Sequence, residues 1–260
     1  MIPKANWLSI NVKYLAILLL LTCIPLTASV GEYSAMANAL SGITLLSDSV
    51  ADYAISPVMA QKGLSTFYNR PFNSSELTIL GLHNAVGRKN IFVGVGTTYL
   101  HHEDYVKHEP YLNLNYRFHG LGIGATGHMM YDSVKGEDGE FDFAYDLGAA
   151  YIRGDYGLEL KLLRGDSADE QLAFGMKAAL SPEVTTALGY VKEKNHDDYF
   201  RFGIAAELHE YVSLYGSWQN EPNRFGMGVQ LNLDSWSVMY SVRTHTALDP
   251  THAISLDIYW

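Results

Sequence analysis

From residue 91 to 260, apolar and polar side chains alternate in runs of about ten residues, and a polar break closes each run. Between 111 and 118, Leu112, Leu114, Tyr116 and Phe118 share one parity, and Asn113, Asn115 and Arg117 share the other. Successive side chains of a strand point to opposite faces, so this run is a strand with one apolar and one polar face. Phe141, Phe143, Tyr145, Leu147 and Tyr151 likewise oppose Asp142, Ala144, Asp146, Gly148 and Ala150. Phe200, Phe202, Ile204 and Leu208 oppose Arg201, Gly203, Ala205 and Glu207. The pattern predicts about fourteen strands, from 64–71 to 251–260, with weak alternation in the first two. Each is near the length that a tilted strand needs to cross a bilayer.

The breaks fall into two classes. Short turns are expected at 87–90, 119–120, 153–155, 181–182, 210 and 234–235. Longer polar loops are expected at 101–109, 132–140, 164–170, 192–198, 219–222 and 244–250. Short turns on one side and long loops on the other are the layout of an outer-membrane barrel, with the turns in the periplasm. Aromatic residues near the strand ends, such as Tyr99, Tyr131, Tyr156, Trp218 and Trp236, suit interfacial girdles. A soluble β-sandwich would also alternate, but with its apolar face inward. Near-uniform strand length and two classes of connection favour the membrane barrel, an all-β, antiparallel, transmembrane fold.

Composition adds little to this picture and excludes one partner. A formal net charge of −10 argues against nucleic acid, whose phosphates require a basic face. Charged residues make up 18%, against the usual quarter or so, while Tyr and Gly number 18 and 23. Residues 1–29 resemble a secretory signal, with Lys4 and Lys13 beside an apolar stretch at 14–26 and small residues at Ala28 and Ser29. Cleavage near Ala28 or Ser29 is expected; an uncleaved anchor is the alternative, although the stretch is short for a span. Cys23, the sole cysteine, follows Thr22, a poor context for lipidation. Removal of the signal therefore leaves no thiol and no disulfide.

Residues 30–62 lack strand alternation and are expected to form short helices with a turn at Ser56-Pro57. This segment and the C-terminus resemble the FadL-like superfamily of outer-membrane barrels, especially its PorV/PorQ-type relatives. The likeness lies in the small-residue stretch 35–42, Ser47-Asp48 and Ser56-Pro57-Val58, the last standing where the family has Asn-Pro-Ala. It lies also in Glu221-Pro222-Asn223-Arg224-Phe225-Gly226 and in Thr251-His252-Ala253-Ile254-Ser255-Leu256, which leads into the final strand. The resemblance implies fourteen strands at 63–260 and an N-terminal plug carrying Asp48, Ser56 and Pro57. It also implies a channel or carrier for a small, in this family often hydrophobic, solute. A non-transporting scaffold for assembly or secretion is the alternative. Trp260, a terminal aromatic on the closing strand, resembles the signal that barrel-assembly machinery recognises. The expected location is the outer membrane of a Gram-negative bacterium, in contact with its lipid.

The polar parity assigns Arg117, His128, Asp142, Asp146, Glu159, Lys161, Lys177, Arg201, Glu207, Arg243 and Asp257 to the lumen. Asp146, Glu159, Lys161 and Lys177 are expected to form one network, since they lie on consecutive strands at similar depth. Balanced signs suit either a conduction path or a closed, ion-paired interior. His101, His102, Glu103, Asp104 and His108 crowd one expected loop, but their spacing follows no metal-ligand pattern. No nucleophile with a base, no Gly-x-Ser-x-Gly and no carboxylate pair emerges, so neither an enzyme nor a cofactor is expected.

Overall fold

The computed structural model describes residues 33–165, 170–194 and 196–260. The expected signal segment and its cleavage site lie outside the described residues. Fourteen antiparallel strands, each paired with its chain neighbours, close into a barrel when the last pairs with the first. They are β1 (Gly63–Arg70), β2 (Thr78–Arg88), β3 (Ile91–His102), β4 (Tyr105–Phe118), β5 (Leu121–Val134), β6 (Glu140–Arg153) and β7 (Tyr156–Gly165). The circuit continues through β8 (Gln171–Ala179), β9 (Val184–Glu193), β10 (Tyr199–His209), β11 (Val212–Gln219), β12 (Arg224–Leu233), β13 (Trp236–Arg243) and β14 (Thr251–Tyr259). Closure runs from Gly63 opposite Tyr259 to Arg70 opposite His252. No strand edge is left for solvent or lipid, as a bilayer requires.

The predicted faces are the observed ones. Leu112 and Leu114 are each 58% exposed, whereas Asn113 on the opposite face is fully buried. Phe141, Phe143, Leu158, Phe200, Met227 and Ile254 extend the apolar outer belt around the barrel. A polar interior under an apolar surface is stable in lipid and not in water. Tight turns at 89–90, 119–120, 154–155, 210–211 and 234–235 cluster at one end. His119 and Gly120 both take positive φ, the backbone that matches a two-residue hairpin to strand twist.

One expected loop is absent. Residues 101–109 belong mostly to strands, and β3 and β4 join through Glu103 and Asp104 alone. Their pairing continues from Leu100 opposite Lys107 to His102 opposite Tyr105. Polar residues dominate here because the hairpin stands clear of the apolar belt, so alternation fades while the ladder persists. The histidines disperse accordingly. His102 lies 3.9 Å from Glu76, His108 bonds Thr97 at 3.1 Å, and Asp104 pairs with Lys135 at 2.9 Å. Among the described residues, no three His, Cys, Asp or Glu side chains are arranged to hold a metal ion.

Residues 33–62 fill the lumen, from wall positions near the loop-side ends of β10–β13 at Asn38 and Ser41 to the turn end at Val58 and Met59. A short helix, α1 (Ala35–Ala39), is capped by Ser34, whose hydroxyl accepts from the Ala37 amide at 2.9 Å. Turns of 3-10 helix follow at Thr44–Leu46 and Val50–Ala54. The small residues of α1 allow close packing on β11–β14, and Ala35 and Ala39 are fully buried. On the β1–β3 side of the interior, Phe67, Ile79 and Leu100 pack together at 2–4% exposure.

Candidate functional site: a plugged, charged lumen

Two polar clusters and one vestibule occupy the interior. The first cluster joins β4–β7 to the N-terminal segment. The Arg164 guanidinium meets Glu109 Oε1 at 2.5 Å and also donates to the Tyr33 hydroxyl. Tyr33 donates to the same carboxylate oxygen at 2.8 Å. His128 lies between two acids, with Nδ1 2.7 Å from Glu109 and Nε2 2.8 Å from Asp146. A doubly protonated ring donates to both carboxylates, an arrangement in which two cations face two anions. Glu109 and the His128 ring have no solvent exposure. Buried charges persist where geometry and further hydrogen bonds repay their desolvation; here three donors converge on Glu109 Oε1, while Oε2 is buried without a hydrogen-bond partner.

A backbone irregularity builds this cluster. Register shifts where β6 meets β7, between Tyr145 and Leu147, and Arg164 takes a positive φ of 56°. Such a bulge re-aims a side chain. It turns Arg164 inward beside Leu163, and the Arg164 amide donates to Asp146 Oδ1 at 2.7 Å.

The second cluster anchors the plug. Glu159 accepts from Thr44 at 2.9 Å and from the Ser56 hydroxyl, and it pairs with Lys161 at 3.2 Å. Lys161 also donates to Thr44 at 3.0 Å. Around it the wall grips plug carbonyls: Asn113 donates to Pro57 at 2.9 Å, and Arg117 to Val58 at 2.6 and 3.0 Å. Further round, Asn38 donates to Ser241 at 3.0 Å, and Ser41 and Ser217 share a bond of 2.9 Å. Gln230 donates to Asp48 at 3.2 Å. Asp48, Ser56 and Pro57 thus all touch the wall.

The vestibule opens at the turn end. Cavities of about 600 and 200 Å³ share Met59, Arg117 and Ile152, and Lys177 lines the smaller one.

The expected single network is corrected: Asp146 belongs with His128 and Arg164, Glu159 pairs with Lys161, and Lys177 joins neither. Glu159 and Lys161 both turn to the plug, which separates them from Asp146. Arg117, His128, Arg201, Arg243 and Asp257 lie on inward positions; Arg201 bonds Gln219 at 3.2 Å and Tyr199 at 2.9 Å. Asp142 and Glu207 share the inward parity yet are exposed, at the loop and turn rims respectively. The β10 ladder shifts register directly after Glu207, so its side chain clears the packed interior. Glu109 and Arg164 were both assigned to loops. Glu109 has the parity of Asn113 and Asn115, a signal masked by Pro110. The bulge that turns Arg164 inward has no sequence signature.

No protein-family model and no curated protein matches the chain. Among solved structures, the Pseudomonas putida toluene transporter TodX is similar at TM-score 0.65 and 9% identity, over 91% of this chain and 100% of that one. The CymD monoaromatic hydrocarbon channel is similar at TM-score 0.65 and 10% identity, over 88% of this chain and 97% of that one. Acinetobacter baumannii outer membrane protein Omp33 follows at TM-score 0.53 and 10% identity, over 77% and 98%. At such identities the likeness is one of fold.

Proposed function

We propose that the chain is a FadL-like outer-membrane channel or carrier for a small apolar solute, held closed by its own N-terminal segment. The observation that carries this reading is how the segment is held. It sits in a closed barrel through side-chain hydrogen bonds and through apolar packing of Met36, Leu40, Ile43, Val50 and Tyr53, and it adds no strand to the sheet ladder. Each such bond is worth about 1 kcal/mol net, because water replaces it on release. The wall can therefore persist while the segment shifts. The apolar cluster of Phe67, Ile79 and Leu100 inside the barrel is compatible with an uncharged solute. Two neighbours in fold bear hydrocarbon channel or transporter names, which supports the reading by analogy only. The turn end faces the periplasm in this proposal, and Trp260 is the contact for assembly machinery. Kinship with PorV/PorQ-type members rests on the terminal motifs alone.

A second reading, a non-transporting scaffold, is favoured by the packed lumen, in which the segment is buried. Planar-bilayer current separates the two, and pH supplies the lever. Burial raises the Asp52 carboxyl well above its usual range, and neighbouring Asp48, Asp257 and Glu159 push the same way. Burial raises Asp48 as well. A carboxyl whose seated value exceeds its free value holds the segment best while protonated. That hold is complete below about pH 4 and is lost as pH rises through the seated value. Open probability should therefore increase from acid to alkaline pH in the wild type, and Asp52→Asn should flatten the rise. Absence of current at every pH, with a protein partner co-purifying, would favour the scaffold.

A further inference from the structure

The vestibule at the turn end brings two cationic side chains and one acid together. Arg117 enters it from the end of β4 and Lys177 from β8. The Arg117 guanidinium commits Nε and Nη2 to Val58, stacks 4.9 Å from the Phe92 ring centre, and leaves Nη1 for another acceptor. Among the described residues, Lys177 makes no hydrogen bond and no ion pair. Its stem runs along Gly157, where a Cβ would stand 3.0 Å from Lys177 Cγ, so the ammonium reaches the cavity past a bare stretch of wall. The acid in the lining, Asp52, accepts from Ser47 at 2.7 Å, and burial favours its neutral form.

The remaining walls combine polar Thr44, Ser47, Gln61, Asn90 and His119 with apolar groups. Leu45, Val58, Met59 and Ile152 surround the cations, and Phe118 and Leu121 form the outer lip. Both lip residues face lipid, at 50% and 51% exposure. A half-buried ammonium among apolar groups is costly unless an anion joins it. An arginine and a lysine converging on one cavity make a familiar oxyanion cradle.

We infer that this vestibule binds an anionic phosphate group, with Lys177 and Arg117 as its two cationic contacts. The phosphate is presented either by an anionic phospholipid, whose chains lie along Phe118 and Leu121, or as free phosphate in the compartment at the turn end. Binding there does not depend on solute passage, so its failure would leave the channel reading standing.

The test uses the full-length protein in detergent, titrated separately with phosphatidylglycerol, phosphatidylcholine and inorganic phosphate, and read by native mass spectrometry. Phosphatidylglycerol should bind in preference to phosphatidylcholine. Lys177→Gln should weaken that binding about tenfold, as loss of one charge-assisted contact implies. Lys177→Arg should retain it, and Lys192→Gln, at the loop end, should leave it unchanged. Arg117→Gln should weaken it too, with heat-modifiable gel migration reporting that the barrel is intact. Inorganic phosphate bound with the same dependence on Lys177, without a lipid preference, would uphold the site and assign it to the free anion. Equal binding by wild type and Lys177→Gln, or no binding of any probe to the wild type, would overturn the inference.

Discussion

Replacing Gly226 or Gly124 by valine is expected to expel the N-terminal segment and make the barrel conduct even at acid pH, where the wild type is closed. A Cβ at Gly226 would stand 2.3 Å from the Ala39 carbonyl oxygen, and one at Gly124 would stand 2.2 Å from that of Pro57. Both distances are far inside van der Waals contact, and both obstacles are backbone, so something must move. The wall is fixed by ladders on both sides of β5 and β12, while the segment is held only by side-chain hydrogen bonds and apolar packing. The segment should yield. Steady bilayer current and protease cleavage within 33–62 are the expected signs, with heat-modifiable migration retained. Gly127→Ala, where a Cβ meets nothing within 4 Å, is the matched control and should behave as wild type.

The second large effect is on stability. Arg164→Met should destabilise the folded barrel by about 3–5 kcal/mol, the usual cost of leaving a buried charge without its partner. Glu109 would then keep only His128 and Tyr33, with no solvent exposure to relieve it. Urea unfolding in lipid vesicles measures the loss. Adding Glu109→Gln should recover a substantial part of it, because the double change removes both charges. If the two losses simply add, the pair is not coupled and the cluster is not the unit described above.

How much of this was legible depends on which physical rule governs each residue. Alternation is forced wherever lipid lies on one side and the packed lumen on the other, so Leu112 to Phe118 and Phe141 to Tyr151 disclose their faces directly. Beyond the apolar belt that pressure ends, and the β3–β4 hairpin passes for a loop although its ladder continues to His102 and Tyr105. Parity placed His128 and Asp146 in the lumen, and the structure brings them into contact. Their partner Arg164 breaks parity through a bulge, and Glu109 is hidden by Pro110, which lacks the N–H of a regular strand. Grouping Lys177 with Glu159 failed for another reason. Depth along a strand follows from sequence, but what fills the lumen between strands does not. Thr44 and Ser56 take up Glu159, and Lys177 is left to the vestibule.

In the function proposed above, residues 33–62 are the closed gate of a channel. Ser41 and Ser217, whose hydroxyl oxygens lie 2.9 Å apart, join the segment to β11 and allow a direct test. With Cys23 replaced by alanine, Ser41→Cys and Ser217→Cys together should form a disulfide that locks the seated segment. Bilayer current at alkaline pH, recorded on one preparation before and after reduction, decides the matter. The gate account predicts no current while the disulfide holds and recovery to the wild-type level on reduction. Equal current in the locked and reduced states would contradict it.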